Sequence, residues 1–233
     1  HQQANLGNSL EYFNEVICGV DVTGSFFGGS AGAECADHGV KALHIGIVKG
    51  SVLTPAPAGD KPPVVFYGSS ITQGGCASKP GCAFPAMVGQ MLGCDHRNLG
   101  FSGSCKGEQA MADYLASLPM RAFVCGYDHN APALAHLQKT HLPLVQAVRQ
   151  AHPHIPIVLL NRPKAELKEE EQARLSVIRE TCEAVGGILL TGDTLIPREI
   201  TSWATVDGVH PNDLGFYHMA TAVAQVLSSK LKG

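Results

Sequence analysis

From Pro62 to the C-terminus, short apolar runs alternate with longer stretches of helical periodicity. The runs at 64–67, 97–99, 122–125, 155–160 and 188–191 are too short for helices and lead into glycine or asparagine. That pattern predicts strands. Val64-Val65-Phe66-Tyr67 has no polar alternation, so the strand it predicts is buried on both faces, as in a parallel sheet. Helical patterns fill the intervals at 83–92, 109–115, 134–151 and 168–185. A last helix follows Pro211, with Asn212 or Asp213 as its cap and Met219, Ala220, Val223, Val226, Leu227 and Leu231 as its apolar stripe. Strand and helix in strict alternation predict an α/β fold, a doubly wound three-layer sandwich around a five-stranded parallel sheet.

Residues 1–60 differ in kind. Scattered apolar positions at 6–17 give way to a tract punctuated by Gly19, Gly24, Gly28, Gly29 and Gly32, which argues for turns and short strands. Residues 41–48 alternate loosely through Leu43, Ile45 and Ile47, as a half-buried strand would. Pro55, Pro57, Pro62 and Pro63 form a stiff connector. The expected organisation is a β-rich appendage over 1–60 and a catalytic domain over 61–233.

Composition narrows the function. The 233 residues are 45% hydrophobic and 16% charged, which suits a globular enzyme, and a net charge of −3 offers no basic field for nucleic acid. No apolar run approaches a membrane span and no signal peptide is visible, so a soluble protein is expected, with the cytoplasm preferred. The eight cysteines contain no CxxC pair; Cys94 and Cys125 read as small hydrophobes, whereas Cys76 and Cys82 could bridge a loop. Paired ligand spacing for structural zinc is absent from the sequence, and neither a metal nor a cofactor is expected.

In open α/β sheets the chemistry sits at the carboxyl ends of the strands. Here Gly68-Ser69-Ser70 follows the first such strand, Gly100-Phe101-Ser102-Gly103 the second, and Gly126-Tyr127-Asp128-His129-Asn130 the third. Asp207-Gly208-Val209-His210 precedes the last helix. A serine hydroxyl needs a base to take its proton, and imidazole suits neutral pH. The imidazole in turn needs a carboxylate to fix its tautomer, which Asp207 can give His210 within one turn of chain. An ester's tetrahedral intermediate needs hydrogen-bond donors; Gly103 offers an unobstructed N–H and Asn130 an amide. At this level Ser69 and Ser70 are rival nucleophiles. Gly68-x-Ser70-x-Thr72 lacks the second glycine of the α/β-hydrolase elbow, and no GxxxxGK[ST] loop occurs.

Together these blocks, over residues 62–231, resemble the SGNH (GDSL-type) hydrolases, close to an often bacterial subgroup reading YGSSITQGG, NLGFSG, YDHNAP and DGxHPNDLGF in order. Ser69 stands where the family usually has an acidic residue, and Gly126 where the subgroup often has one. Subgroup members commonly carry a complete β-sandwich ahead of the catalytic domain, of which only 42–53 resembles a final strand. The resemblance implies a flavodoxin-like arrangement, Ser70 as nucleophile, His210 as base and Asp207 as its partner. It also implies the Ser70 N–H, the Gly103 N–H and Asn130 as oxyanion donors.

The remaining signals read blandly. Lys168-Glu169-Glu170-Glu171 is expected to be a solvated helix face. His152, His154, His136 and His141 are expected at the surface. Trp203 is either core or a wall of the acyl pocket. The loops at the expected active edge, such as Thr72-Gln73 and Asp128-His129, are short and polar, without an apolar lid. They predict a serine esterase acting on short acyl groups, acetyl above all, of a carbohydrate or similar small polar substrate. Tyr127, His129 and Trp203 are expected to contact it. A lipid-directed acylhydrolase of the same fold is the alternative, and a catalytically silent sugar-binding module is a third reading.

Overall fold

The computed structural model describes residues 61–231 and, ahead of them, the backbone of two short strands, β1 (Val20–Val22) and β2 (Leu53–Pro55). These pair antiparallel, with Val20 opposite Pro55 and Val22 opposite Leu53. The strand expected over 41–48, the apolar positions at 6–17, and Cys18 and Cys35 lie outside the described residues.

The sheet that carries the molecule has five parallel strands, β3 (Val64–Gly68), β4 (His96–Gly100), β5 (Ala122–Gly126), β6 (Ile157–Leu160) and β7 (Ile188–Leu190), in the order β4-β3-β5-β6-β7. The expected strand over 155–160 starts two residues late, at Ile157. Pro156 has no N–H for a ladder, although its carbonyl accepts from Phe123 N at 3.0 Å. Among the described residues the α-helices are α1 (Ser70–Gln73), α2 (Phe84–Leu92), α3 (Gln109–Ser117), α4 (Leu134–Ala151), α5 (Glu169–Val185), α6 (Gly192–Leu195), α7 (Thr201–Ala204) and α8 (Asp213–Lys230).

Because side chains alternate across a strand, each strand serves two cores. Val65, Tyr67, Phe123, Cys125, Ile157 and Leu159 pack with Leu115, Leu137, Leu144 and Ile178 from α3, α4 and α5. Val64, Phe66, Val124, Val158 and Leu160 pack on the other face with Phe84, Val88, Met219 and Val223 from α2 and α8. The chain leaves β3 toward one face and β5 toward the other. The crevice between these neighbouring strands is therefore the topological switch point, where open sheets form their sites.

Two points that the sequence leaves open are settled by the structure. Asn212, not Asp213, caps α8: its Oδ1 accepts from Leu214 N at 3.0 Å and Gly215 N at 3.2 Å. Asp213 instead takes Ser78 N at 2.8 Å and the Ser78 hydroxyl, tying the loop after α1 to the start of α8. No disulfide joins Cys76 to Cys82 across their loop, and Cys105, Cys125 and Cys182 are buried.

His141 is a correction. It does not lie at the surface but is 1% exposed, because it shares the buried stripe of α4 with Leu137, Leu144, Val145 and Val148. The Thr181 hydroxyl gives its proton to the Val177 carbonyl, so His141 Nδ1–H donates to Thr181 Oγ1 at 2.8 Å. His136 is half-buried, with Nε2–H donating to the Lys106 carbonyl at 2.7 Å.

Burial lowers the pKa of His141 from 6.5 to about 4. The unfolded chain therefore takes up a proton that the folded chain refuses. The neutral ring's contribution is complete above about pH 6.5 and is lost as the pH falls toward 4, which amounts to on the order of 3 kcal/mol. Urea unfolding followed from pH 7.5 to 4.5 should show this acid-side loss. His141→Gln, which keeps a donor for Thr181, should flatten the profile over that window. An unchanged pH profile in that variant would show that the buried ring is not the group responsible.

Candidate active site

The site is built from the point where β3 stops. Gly68 and Gly100 close the neighbouring strands β3 and β4, and α1 lies directly on both ends. A Cβ on Gly68 would meet Thr72 Oγ1 at 2.1 Å, and one on Gly100 would meet the backbone N of Gln73 at 2.1 Å. Only glycine lets the helical turn approach this closely. Asn98 Nδ2 fastens the turn further by donating to the Thr72 carbonyl at 2.8 Å.

The two serines separate here. Ser69 is 1% exposed and caps α1, its Oγ accepting from Ile71 N at 3.3 Å, while its own N–H donates to the Gly126 carbonyl. Ser70, the first residue of α1, is half-buried, and its Oγ lies 3.0 Å from His210 Nε2.

His210 sits on a hairpin-like loop closed by the Thr205–Pro211 bridge and by Val206 N donating to the His210 carbonyl at 2.9 Å. Gly208 turns this loop at φ +80°, in the left-handed region that favours glycine. The turn folds Asp207 back on its own successors. Its Oδ1 accepts from Val209 N at 2.8 Å and His210 N at 2.7 Å, and its Oδ2 accepts from His210 Nδ1 at 2.7 Å. The backbone bond from His210 and the other donors hold the Asp207 carboxyl well below the usual carboxylate range. An ionised carboxylate only accepts, so Nδ1 carries the ring proton and the Nε2 lone pair faces the Ser70 hydroxyl.

The second and third loops close on this pair. Phe101 N donates to the Gly68 carbonyl at 2.8 Å, and Ser102 N to Gln73 Oε1 at 2.7 Å. Gly103 follows in an exposed turn at φ +68°. Asn130 joins the loops by donating from Nδ2 to the Phe101 carbonyl at 2.9 Å. A primary amide has two N–H groups, which leaves one to offer a ligand.

The expected substrate contacts fare differently. Tyr127 is fully buried, its hydroxyl donating to Thr140 Oγ1 at 2.9 Å and its ring stacked on His141, so it belongs to the core and not to a substrate surface. Trp203 is 68% exposed, which excludes the core reading. His129 is half-buried with a buried, unpartnered Nε2. Burial lowers its pKa; Asp128 opposes the shift, and the charges of Arg162 and His210 add to it.

Sequence reasoning missed the ion pairs behind the third loop. Asp128, 3% exposed, accepts from Arg162 Nε at 2.8 Å, and Arg162 and Lys164 both reach Glu171. Glu171 therefore corrects the expectation of a solvated run at 168–171. Burial opposes its ionisation, but the Lys168 N–H and the Lys164 ammonium outweigh burial and lower its pKa. Among the described residues, no group of three or more His, Cys, Asp or Glu side chains could hold a metal ion. No helix there is long and apolar enough to cross a membrane. A cavity of about 610 Å³ lies at the opposite edge, where β6 and β7 begin, lined by Arg149, His154 and Lys230 among others.

Comparison with known proteins gives this fold its relatives. The model of the GDSL-like lipase/acylhydrolase family matches residues 61–228. A crystal structure of a candidate GDSL-like lipase from Bacteroides ovatus is 30% identical, with a TM-score of 0.69 over 81% of this chain and 59% of that one. The salicylyl-acyltransferase SsfX3 of a tetracycline biosynthetic pathway shares the fold at 19% identity and TM-score 0.66, over 78% of this chain and 58% of its own. A family two carbohydrate esterase from Clostridium thermocellum, solved with cellohexaose, does so at 14% identity and TM-score 0.59, over 77% and 68%. The chain thus spans less than two thirds of the first two structures. A search of curated proteins finds no match.

The donor set around Asp207 has a direct spectroscopic consequence. In a carbon-13 titration its side-chain carboxyl should show a midpoint well below the ~3.9 of an unperturbed aspartate. A midpoint at or above that value would mean that the three hydrogen bonds do not hold the ionised form.

Proposed function

Because the chain belongs to the GDSL-like lipase/acylhydrolase family, we propose that it is a serine esterase. It removes short acyl groups, acetyl above all, from a carbohydrate or similar polar substrate. The observation that carries this reading is the hydrogen-bonded chain from Ser70 Oγ to His210 Nε2 at 3.0 Å and from His210 Nδ1 to Asp207 Oδ2 at 2.7 Å.

On this reading Ser70 Oγ attacks the ester carbonyl as its proton passes to His210 Nε2, and Asp207 stabilises the resulting imidazolium. The carbonyl oxygen becomes an oxyanion facing the Ser70 N–H, the Gly103 N–H and the free amide N–H of Asn130. The intermediate collapses to an acyl-enzyme, and the departing alcohol takes the proton from Nε2. Water then attacks the acyl carbon as its proton passes to the same nitrogen, and collapse breaks the bond to Ser70 Oγ, which takes that proton back as the acid leaves. Every proton is carried by groups of this chain, with no cofactor. Support for a sugar ester comes from the fold shared with the Clostridium thermocellum carbohydrate esterase.

One observation favours the lipid-directed alternative. The rim around His210 is less polar than the loop sequences suggest, since Phe101, Trp203, Val206 and Val209 are all exposed. Apolar surface of this kind could receive a fatty chain, at about 0.8 kcal/mol per buried methylene.

A series of p-nitrophenyl esters from acetate to decanoate, run beside an acetylated oligosaccharide, separates the two. A steep fall in kcat/KM after acetate, with acetate released from the sugar, is expected. A value that climbs past butyrate would move the assignment to lipids. Ser70→Ala and His210→Ala should each remove nearly all activity without unfolding the chain, because nucleophile and base act as a unit. Asn130→Ala should lower kcat by roughly 10²–10³, the usual effect of losing one oxyanion donor. An unchanged kcat would take Asn130 out of the site.

A further inference from the structure

The loop between β5 and α4 is held from behind by a side chain outside the reacting groups. Arg174 projects from α5 and is only 4% exposed. Its Nη1 donates to the Asp128 carbonyl at 2.8 Å and to the Ala131 carbonyl at 3.1 Å. These carbonyls bracket His129 and Asn130, so one nitrogen straddles both residues. The remaining bonds of the guanidinium, from Nε and Nη2, go to Glu170 Oε1 at 3.2 and 3.0 Å, and Glu170 is 68% exposed. The Asp128 side chain is meanwhile fixed by Arg162 at 2.8 Å.

Burying a guanidinium is unfavourable, and an apolar side chain at this position of α5 would pack against the core without that penalty. What an apolar residue could not do is hold two main-chain carbonyls of a loop. We propose that Arg174 is a positioning residue that aims the Asn130 amide at the oxyanion, acting through the main chain on either side of it. The inference rests on the esterase reading. With the carbonyls of Asp128 and Ala131 pinned, the peptide units between them lose their freedom to rotate. The Asn130 side chain then leaves the loop in one direction. The Phe101 carbonyl, accepting from Asn130 Nδ2 at 2.9 Å, fixes the far end of that side chain. Oxyanion donors act only within about 2.7–3.1 Å of the developing charge, and a misplacement of about 1 Å can cost about 10²-fold in rate.

The test measures kcat and KM for p-nitrophenyl acetate in Arg174→Met, Arg174→Lys and Glu170→Gln, each alone and combined with Asn130→Ala, with thermal melting as a check on folding. Arg174→Met should lower kcat by on the order of 10- to 100-fold with KM within about twofold, and Arg174→Lys should recover part of that loss. Glu170→Gln should change neither, because the bonds to the loop carbonyls remain. In the Asn130→Ala background the Arg174 substitutions should cost less than about twofold, since the group they aim is gone. Should Arg174→Met fail to fold, Arg174→Lys carries the same comparison. A folded Arg174 variant with wild-type kcat, or a loss that is fully additive with Asn130→Ala, would overturn the inference while the esterase reading stands. A wild-type chain that neither hydrolyses the ester nor takes a fluorophosphonate label at Ser70 would overturn both.

Discussion

The Ser70–His210 hydrogen bond joins segments 140 residues apart, so each must be fixed separately before the two can meet. The first is fixed by β3, which is buried along its whole length and cannot slide or twist relative to its neighbours. Its last residue has no side chain, and neither has that of β4, so α1 rests on the strand ends at backbone distance. The second is fixed by α8, whose cap at Asn212 lies two residues beyond His210. Ser78 and Asp213 then link the two segments a second time. The Ser70–His210 contact thus depends on how tightly a helical turn can sit on a strand end, which is a steric constraint before it is an electrostatic one.

The groups that would react and the groups that hold them occupy different environments. The side chains of His210 and Asp207 are 34% and 49% exposed, whereas those of Asp128 and Arg174 are 4% and 5% exposed. Water screens an exposed carboxylate strongly, so long-range charge contributes little to Asp207. What holds its carboxyl below the ordinary aspartate range is first the His210 N–H, then the His210 ring and the Val209 N–H, all delivered by its own turn. The buried pairs do the opposite work. They set no charge at the reacting atoms, but they fix the loop from which Asn130 extends.

How legible each part was in the sequence follows from how local its cause is. The strands and long helices declared themselves because burial on two faces imposes composition and period directly. The Asp207 turn is local and could be read from three spaced residues. Ser69 and Ser70 could not be told apart from the residues alone, because capping and nucleophilic roles both suit a serine after a strand; the register of the helical turn decides. Tyr127, expected at a substrate surface, instead continues the alternation Phe123, Cys125 onto the same buried face, a signal the sequence already carries. His141 and Arg174 carried a comparable signal, since each is spaced four residues from a core leucine or isoleucine of its own helix. The Asp128–Arg162 pair joins the loops that follow β5 and β6, 34 residues apart, and no local pattern could announce it.

The exposed apolar rim weighs differently on the two substrate readings once the side it lies on is considered. Trp203, Val206 and Val209 belong to the segment that carries His210 and its approach. In an acyl transfer, the departing alcohol must come within reach of Nε2 to take its proton, so the surface around His210 meets the leaving group. The acyl group stays on Ser70 after the alcohol has gone. An apolar rim beside the histidine therefore acts on the alcohol first, and an alcohol can be partly apolar without being a lipid. A pyranose ring has a C–H face that packs on an aromatic plane and an edge of hydroxyls that remains in water. Exposed tryptophan suits that combination, since it offers a large flat surface with one polar N–H at its margin. A long acyl chain would instead require apolar surface on the far side of Ser70. That side carries the exposed turn at Gly103 and the Asn130 amide, and beside them the exposed ring of Phe101, whose carbonyl accepts from Asn130. Apolar surface on the histidine side is thus compatible with a sugar as the leaving group, because it acts on the alcohol and not on the acyl chain.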